Sequence, residues 1–174
     1  MKKTKQFIYY IILLLICLVG VVPAVSALSK TQEAGISDHC ETIKDNLKTI
    51  QKSDARARVY LGGRFETILN KYVTPLNVRL VENSMSTASL IESQNTLTSN
   101  KTKFTNDYVG YQQKLEELVA MDCKNEPASF YEKLKLVREE RKKVEKDVQK
   151  MKTALSEYVE LVGKLKERLN AESK

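Results

Sequence analysis

Histidine and tryptophan are almost absent from this chain. Its 174 residues include one histidine, no tryptophan and no glycine-rich phosphate loop. His39 alone cannot build a zinc site, a Ser-His-Asp triad or a metalloprotease motif, because each needs further ligands or partners. We interpret His39 as an exposed residue next to Cys40. The sequence therefore predicts no catalytic or metal-binding residues, no cofactor and no enzymatic activity.

The sequence also lacks a segment in which charges of one sign dominate. Carboxylates alternate with Lys and Arg at helical spacing, which is typical of solvated helix faces. The most basic stretch, residues 138–152, contains four acidic residues. Nucleic acid requires denser positive charge on one face, so we expect no nucleic-acid partner. Contact with an anionic polymer or lipid surface stays open.

The longest apolar run lies at the N-terminus. Three lysines within residues 2–5 precede an apolar run over residues 7–22, and Val25-Ser26-Ala27 ends it with a small-x-small cleavage pattern. We interpret residues 1–27 as a signal peptide. Residues 6–29 carry no charge, and about 20 apolar residues span a bilayer, so an uncleaved signal anchor is the alternative. Cleavage would lower the formal net charge from +7 to +4 and remove Cys17.

Only Cys40 and Cys123 follow the predicted signal peptide. An exported chain meets an oxidising environment, so we predict one disulfide, with two separate buried thiols as the alternative. A turn within residues 82–86 would bring the two cysteines level. A turn at Pro75 would leave them about 20 Å out of register, beyond the roughly 7 Å that a disulfide allows between Cα atoms.

The clearest helical pattern lies at the C-terminal end. Apolar residues recur there at alternating spacings of four and three, with Arg141 as the one break. This pattern predicts a helix over residues 127–171 that packs in coiled-coil fashion. The predicted core seam is Phe130, Leu134, Val137, Val144, Val148, Met151, Leu155, Tyr158, Val162, Leu165 and Leu169.

Two more helices are predicted, over residues 38–82 and 87–123, after a short linker at residues 28–37. The first begins at the capping pair Asp38-x-x-Glu41, and its apolar face extends to Phe65 and Tyr72. Elements of similar length with short connections predict an all-α, elongated antiparallel three-helix bundle over residues 38–171.

The first predicted helix contains two weak points. Gly62 and Gly63 each cost about 1 kcal/mol relative to alanine in a helix, and Pro75 lacks a backbone donor. We expect a kink near Pro75 and regard Gly62, Gly63 and Pro75 as a candidate hinge. Weak packing that an elongated bundle tolerates is the alternative interpretation.

The layout resembles a group of small, secreted, helical coiled-coil proteins of unassigned function from genome-reduced, ultrasmall bacteria. The features that carry this resemblance are the signal peptide, HCETI at residues 39–43, FTNDYVGY at residues 104–111 and FYEKL at residues 130–134. The resemblance implies a disulfide-stapled helical bundle outside the cytoplasm. It implies no particular activity.

We expect a non-enzymatic, exported coiled-coil scaffold or interaction protein of the cell envelope or extracellular space. Its partner would be a protein or an envelope surface, and the membrane would be contacted only through an uncleaved N-terminal segment. One alternative is a holdase-like periplasmic chaperone, and another is a membrane-anchored coiled-coil protein. The regular C-terminal seam would also suit a homo-oligomer.

Overall fold

The computed structural model describes residues 28–172, and all regular structure in that range is helical. The all-α prediction is confirmed. The predicted signal peptide lies outside the described residues. The elements are α1 (Lys30–Asp38), α2 (Cys40–Ile68), a π-helical turn (Leu69–Val73), α3 (Thr74–Glu82), α4 (Ala88–Ala120) and α5 (Pro127–Glu172). The sequence predicted helices over residues 38–82, 87–123 and 127–171.

Residues 28–37, treated above as a linker, are largely helical. Ser29 caps α1, because its Oγ accepts from the Gln32 backbone N–H while the Gln32 side chain accepts from the Ser29 N–H. This Ser-x-x-Gln capping box was readable in the sequence and was missed. Asp38, the predicted start of the first long helix, is the last residue of α1, and α2 follows His39, whose side chain makes no cap.

Helical structure continues from Cys40 through Gly62, Gly63 and Pro75 to Glu82. The sequence predicted a kink near Pro75, and the structure has a π-turn just before this residue, in which the Thr74 N–H donates to the Leu69 carbonyl five residues earlier. A proline inside a helix lacks an N–H and crowds the carbonyl four residues before it. A wider turn ahead of Pro75 gives the neighbouring backbone groups other partners, so the helical path is not broken.

The π-turn also decides which side chains point inward. Phe65, Leu69, Val73 and Asn77 follow one another at four-residue intervals, and all are buried. In an α-helix, each step of four residues rotates the direction of the side chain by about 40°. The π-turn has more residues per turn and offsets this rotation, so the four side chains stay on one side of the helix. Tyr72, predicted to face the core, is therefore 66% exposed.

The connection between α3 and α4 lies in the segment where the turn was predicted. The Met85 N–H donates to the Leu80 carbonyl at 3.0 Å, and the Ser84 N–H donates to the Val81 carbonyl at 2.9 Å. Ser84 has a φ of 55°. These features form a Schellman motif, which satisfies the last carbonyls of α3 and reverses the chain. Met85 then packs against the core.

Three clusters of buried side chains occur along the helices, so the fold is a helical bundle. The cluster at the cysteine end is Cys40, Leu47, Tyr108, Tyr111, Leu115, Leu118, Cys123, Phe130 and Val137. The middle cluster is Phe65, Phe104 and Met151. The third, near the α3–α4 turn, is Leu69, Val73, Leu80, Leu90, Leu97, Ala154, Tyr158 and Leu165.

Most predicted seam residues of α5 lie in or beside these clusters. Phe130, Val137, Met151, Tyr158 and Leu165 are buried, and Leu134, Val144, Val148, Leu155 and Val162 are partly buried. Leu169 was predicted inside but is 40% exposed, because it lies one turn beyond Leu165, the last buried residue of α5. Asp147 and Ala154 are buried on α5 although the predicted seam did not include them.

A buried polar network fixes the region around the π-turn. Tyr158 Oη on α5 donates to Asn77 Oδ1 on α3 at 2.8 Å. Asn77 Nδ2 donates to the Leu90 carbonyl at 3.2 Å and to Gln94 Oε1 at 2.7 Å, both on α4. Buried polar groups stabilise one arrangement when all of them are paired. This network therefore links α3, α4 and α5 in a defined register.

The predicted disulfide is confirmed. Cys40 and Cys123 are bonded, with their Cα atoms 5.5 Å apart. Beside the bond, Ser37 Oγ on α1 donates to the Lys124 carbonyl at 2.8 Å. Asp122 Oδ1 accepts the backbone N–H groups of Lys124 and Asn125, each at 3.1 Å. The connection between α4 and α5 is thus held to the start of α2.

Removing the disulfide should strongly destabilise the fold. The bond joins residues 83 positions apart, and the chain-entropy relation gives about 4.5 kcal/mol for a loop of that size. We expect the double variant Cys40→Ala/Cys123→Ala to lose about that much unfolding free energy in urea. Reduced wild-type protein is the control, since it loses the bond without losing the sulfur atoms. Equal stability of reduced and oxidised protein would contradict the assignment.

Replacing the central glycines should stabilise the protein. A Cβ at Gly62 or Gly63 would meet nothing within 4 Å, so alanine gains helix propensity of about 1 kcal/mol at each position. We expect Gly62→Ala and Gly63→Ala to raise the urea midpoint. Gly110→Ala in α4 is the matched control, because Gly110 is equally unobstructed. A loss of stability at residues 62 and 63 with a gain at 110 would instead support the hinge.

Candidate functional site

The buried face of α2 has a long gap. Leu47 and Phe65 are buried, but no residue of α2 between them is. The positions that continue the inward spacing carry Asp54, Ala57 and the partly buried Leu61. A carboxylate and a methyl group do not fill the space that a large apolar side chain would occupy. A cleft of about 240 Å³ lies here between α2, α4 and α5.

The cleft combines an apolar floor with a charged rim. Phe104, Tyr108 and Tyr111 of α4 form an aromatic row, with neighbouring ring centroids 6.3 and 6.2 Å apart. Leu61 of α2 and Val144 and Val148 of α5 complete the apolar lining. The charged lining residues are Asp54, Arg58, Arg141 and Glu145.

Arg141, the break in the predicted seam, is explained by a partner on α2. Its Nε and Nη2 donate to the two carboxylate oxygens of Asp54 at 2.8 and 3.0 Å. Tyr111 Oη donates to Asp54 Oδ2 at 2.7 Å. Such a two-pronged pair is stronger and more directional than a single contact. The three residues therefore connect α2, α4 and α5 at one end of the cleft.

The protonation states of this triad follow from its contacts. Burial alone would raise the pKa of Asp54, but the hydrogen bonds from Arg141 and Tyr111 outweigh burial and lower that pKa below its usual value. Burial and the bond to Asp54 raise the pKa of Tyr111. The bond to Asp54 also raises the pKa of Arg141. At neutral pH the group is an ion pair with a neutral phenol.

Arg58 stands apart from this ion pair. Its guanidinium carbon lies 5.6 Å from the centre of the Tyr108 ring, which is a cation–π contact. Among residues 28–172, no carboxylate forms a salt bridge with Arg58. Glu145, the other acid of the rim, faces Arg141, with Oε1 at 3.6 Å from Nη1. In the described chain, Arg58 is thus the one charged residue of the rim that forms no salt bridge.

A second charged cluster lies between α4 and α5. Lys103 Nζ contacts the Asp107 carboxylate and lies 3.5 Å from Asp147 Oδ2. Lys103 holds the pKa of Asp107 below its usual value. Asp147 is only 3% exposed, and burial, followed by the neighbouring Asp107 carboxyl group, raises its pKa. A buried acid next to a second acid is poised to hold a proton.

Exposed apolar side chains concentrate on the first long helical segment. Eleven large apolar side chains of the described chain are exposed, and six of them belong to α2, the π-turn and α3. These six are Ile50, Val59, Tyr60, Tyr72, Val78 and Val81. Tyr60 is further held by Arg64, whose Nη1 donates to the phenol oxygen at 2.6 Å. The other five exposed large apolar side chains of the described chain are divided between α4 and α5.

The predicted seam of α5 contributes Val144 and Val148 to the lining of the cleft. His39 is exposed, as interpreted above, and is not among the residues that line the cleft. Gly62 and Gly63 lie in a shallow groove beside Lys101 and Phe104, next to the cleft. Asp54, Ala57 and Arg58 were not identified beforehand. In the sequence, Asp54 and Ala57 stand at positions where the spacing of buried residues on α2 calls for large apolar side chains. Arg141 interrupts the seam of α5 in the same way.

Comparisons of the chain with protein-family models, curated proteins and solved structures find no match. Within residues 28–172, no group of three or more His, Cys, Asp or Glu residues is arranged to hold a metal ion. None of the helices in that range has both the length and the apolar content to cross a bilayer.

Replacing Asp147 should have a pH-dependent effect. Because the folded state raises its pKa, ionised Asp147 opposes folding, and this penalty grows as pH rises from about 4, the ordinary value for Asp. We expect Asp147→Asn to stabilise the protein at pH 7 by about 1 kcal/mol. The gain should shrink as pH falls, because the wild type then protonates. Urea unfolding between pH 4 and 8 measures it.

Asp107→Asn is the matched control and should act in the opposite direction. The pKa of Asp107 is lowered, so its ionised form stabilises the fold above the ordinary Asp value, and this contribution is lost as pH falls through the folded pKa. The variant should be less stable than wild type at pH 7 and equal to it in acid. The same sign for both variants at pH 7 would refute the assignment.

Proposed function

We propose that the protein is a non-enzymatic, exported scaffold or interaction protein of the cell envelope or extracellular space. In this proposal the bundle is elongated and antiparallel and has three rods. The first rod is α2 together with the π-turn and α3, the second is α4, and the third is α5. The bundle supports a surface on the first rod that binds a partner protein or envelope component. The concentration of exposed apolar side chains on α2, the π-turn and α3 carries the proposal.

The cross-links between elements support a role as a rigid support. The disulfide ties α2 to the α4–α5 connection, the Asp54–Arg141–Tyr111 group ties the middle, and the Asn77–Tyr158 bond ties α3 to α5. Three links at different heights restrict sliding and rotation of the first rod. A surface held in this way loses little conformational entropy on binding.

The disulfide and the N-terminal pattern support export. Structural disulfides persist mainly in oxidising compartments. The first 27 residues show the three-part pattern of a signal peptide, and both cleavage during export and retention as an anchor would deliver residues 28–172 outside the cytoplasm. The binding surface would then face partners in that compartment.

Site-specific photo-crosslinking in intact producing cells tests the contact surface. A benzophenone amino acid at Val59 or Tyr72 should crosslink one common partner, because both side chains are exposed on the first rod. Gln113, an exposed polar position on α4, is the control outside the first rod and should give little of that product. A product of twice the chain mass would identify a second copy as the partner. No product at Val59 and Tyr72, or equal yield at Gln113, would overturn the proposal.

A further inference from the structure

The cleft between α2, α4 and α5 is produced by specific residues. Asp54, which is partly buried, and Ala57, which is exposed, line the cleft from α2, and Arg141 lines it from the seam of α5. The two charged residues satisfy each other at one end. Consequently the ion pair does not cover the floor, and Phe104, Val144 and Val148 line an open apolar space.

The volume of the cleft limits what it can hold. At about 240 Å³, it exceeds the roughly 150 Å³ of an apolar cavity that accepts benzene. It is below the roughly 300–1,000 Å³ that is usual for drug-sized ligands. An apolar chain of about eight carbons, or a single substituted ring, is the scale that fits.

The rim selects the charge of the ligand. Asp54 and Glu145 both face Arg141, whereas Arg58, within the described part of the chain, forms no salt bridge and lies over the Tyr108 ring. A carboxylate at the mouth would give Arg58 its missing counter-charge in a two-pronged pair. A cationic head group would find both rim acids already facing Arg141 and would be repelled by Arg58.

We propose that this cleft binds a small monoanionic amphiphile, a medium-chain carboxylate. Its apolar chain lies on Phe104, Val144 and Val148, and its carboxylate pairs with Arg58. This inference goes beyond the proposed scaffold role, because the cleft residues differ from the exposed apolar residues of the contact surface. The two can therefore fail independently.

Calorimetric titration tests the inference with three probes that share an eight-carbon chain: octanoate, octanol and octyltrimethylammonium. The protein is used in the form that accumulates in producing cells, with ¹³C-labelled valine and leucine methyl groups. We expect saturable binding of octanoate with methyl shifts at Leu61, Val144 and Val148. Octanoate should bind about tenfold tighter than octyltrimethylammonium, a difference of about 1.4 kcal/mol. Octanol should lie between them.

Two variants separate the head group from the chain. Arg58→Gln should weaken octanoate about tenfold and leave octanol unchanged. Arg56→Gln, an exposed neighbour outside the cleft, is the matched control and should change neither. Ala57→Leu should fill the cleft and abolish binding of all three probes while the thermal midpoint is kept or raised. Val148→Phe fills the same space from α5 if Ala57→Leu does not fold.

Several results would overturn the inference. One is the absence of saturable octanoate binding up to about 10 mM. Another is equal affinity for the cationic probe, which would remove the role of Arg58. A third is unchanged octanoate binding in both folded cleft-filling variants. None of these results bears on crosslinking at Val59 and Tyr72, which tests the scaffold role.

Discussion

The disulfide between Cys40 and Cys123 joins the first residue of α2 to the connection between α4 and α5. A helix that packs through apolar side chains can slide by one turn at modest cost, because one row of such side chains resembles the next. A covalent bond at one end removes that freedom. Once Cys40 is fixed, each turn of α2 faces a particular turn of α4 and α5, and the polar pairs further along can form.

Those polar pairs divide the interior into regions with different properties. Near the disulfide the core is apolar and closed around Leu115, Leu118 and Phe130. In the middle, Asp54 and Arg141 replace apolar residues and leave the cleft. Near the α3–α4 turn, Asn77 and Tyr158 form a buried network. A buried polar group costs free energy unless it is paired, so each pair requires the register that the disulfide sets.

Local sequence signals predicted the elements well where they were strong. The seam of α5 and the turn after Glu82 followed from spacing and turn residues. The cysteine pair followed from composition. Two features were not predicted. The Ser29 capping box begins α1, and the π-turn before Pro75 rotates Tyr72 outward and Val73 inward. A π-turn has no reliable sequence pattern, because its position depends on which neighbours the following side chains reach.

The amino-acid sequence by itself determined the helical class, the disulfide partners and the place where the chain reverses. These depend on residue type and on separation along the chain, both of which are visible without a third dimension. The tertiary structure decided what the exceptions mean. Arg141 is a defect in the seam until Asp54 and Tyr111 are seen beside it, and Arg58 resembles many surface arginines until Tyr108 and the open cleft are seen. Pairing across helices 50 to 90 residues apart depends on register, and no local pattern encodes register at that distance.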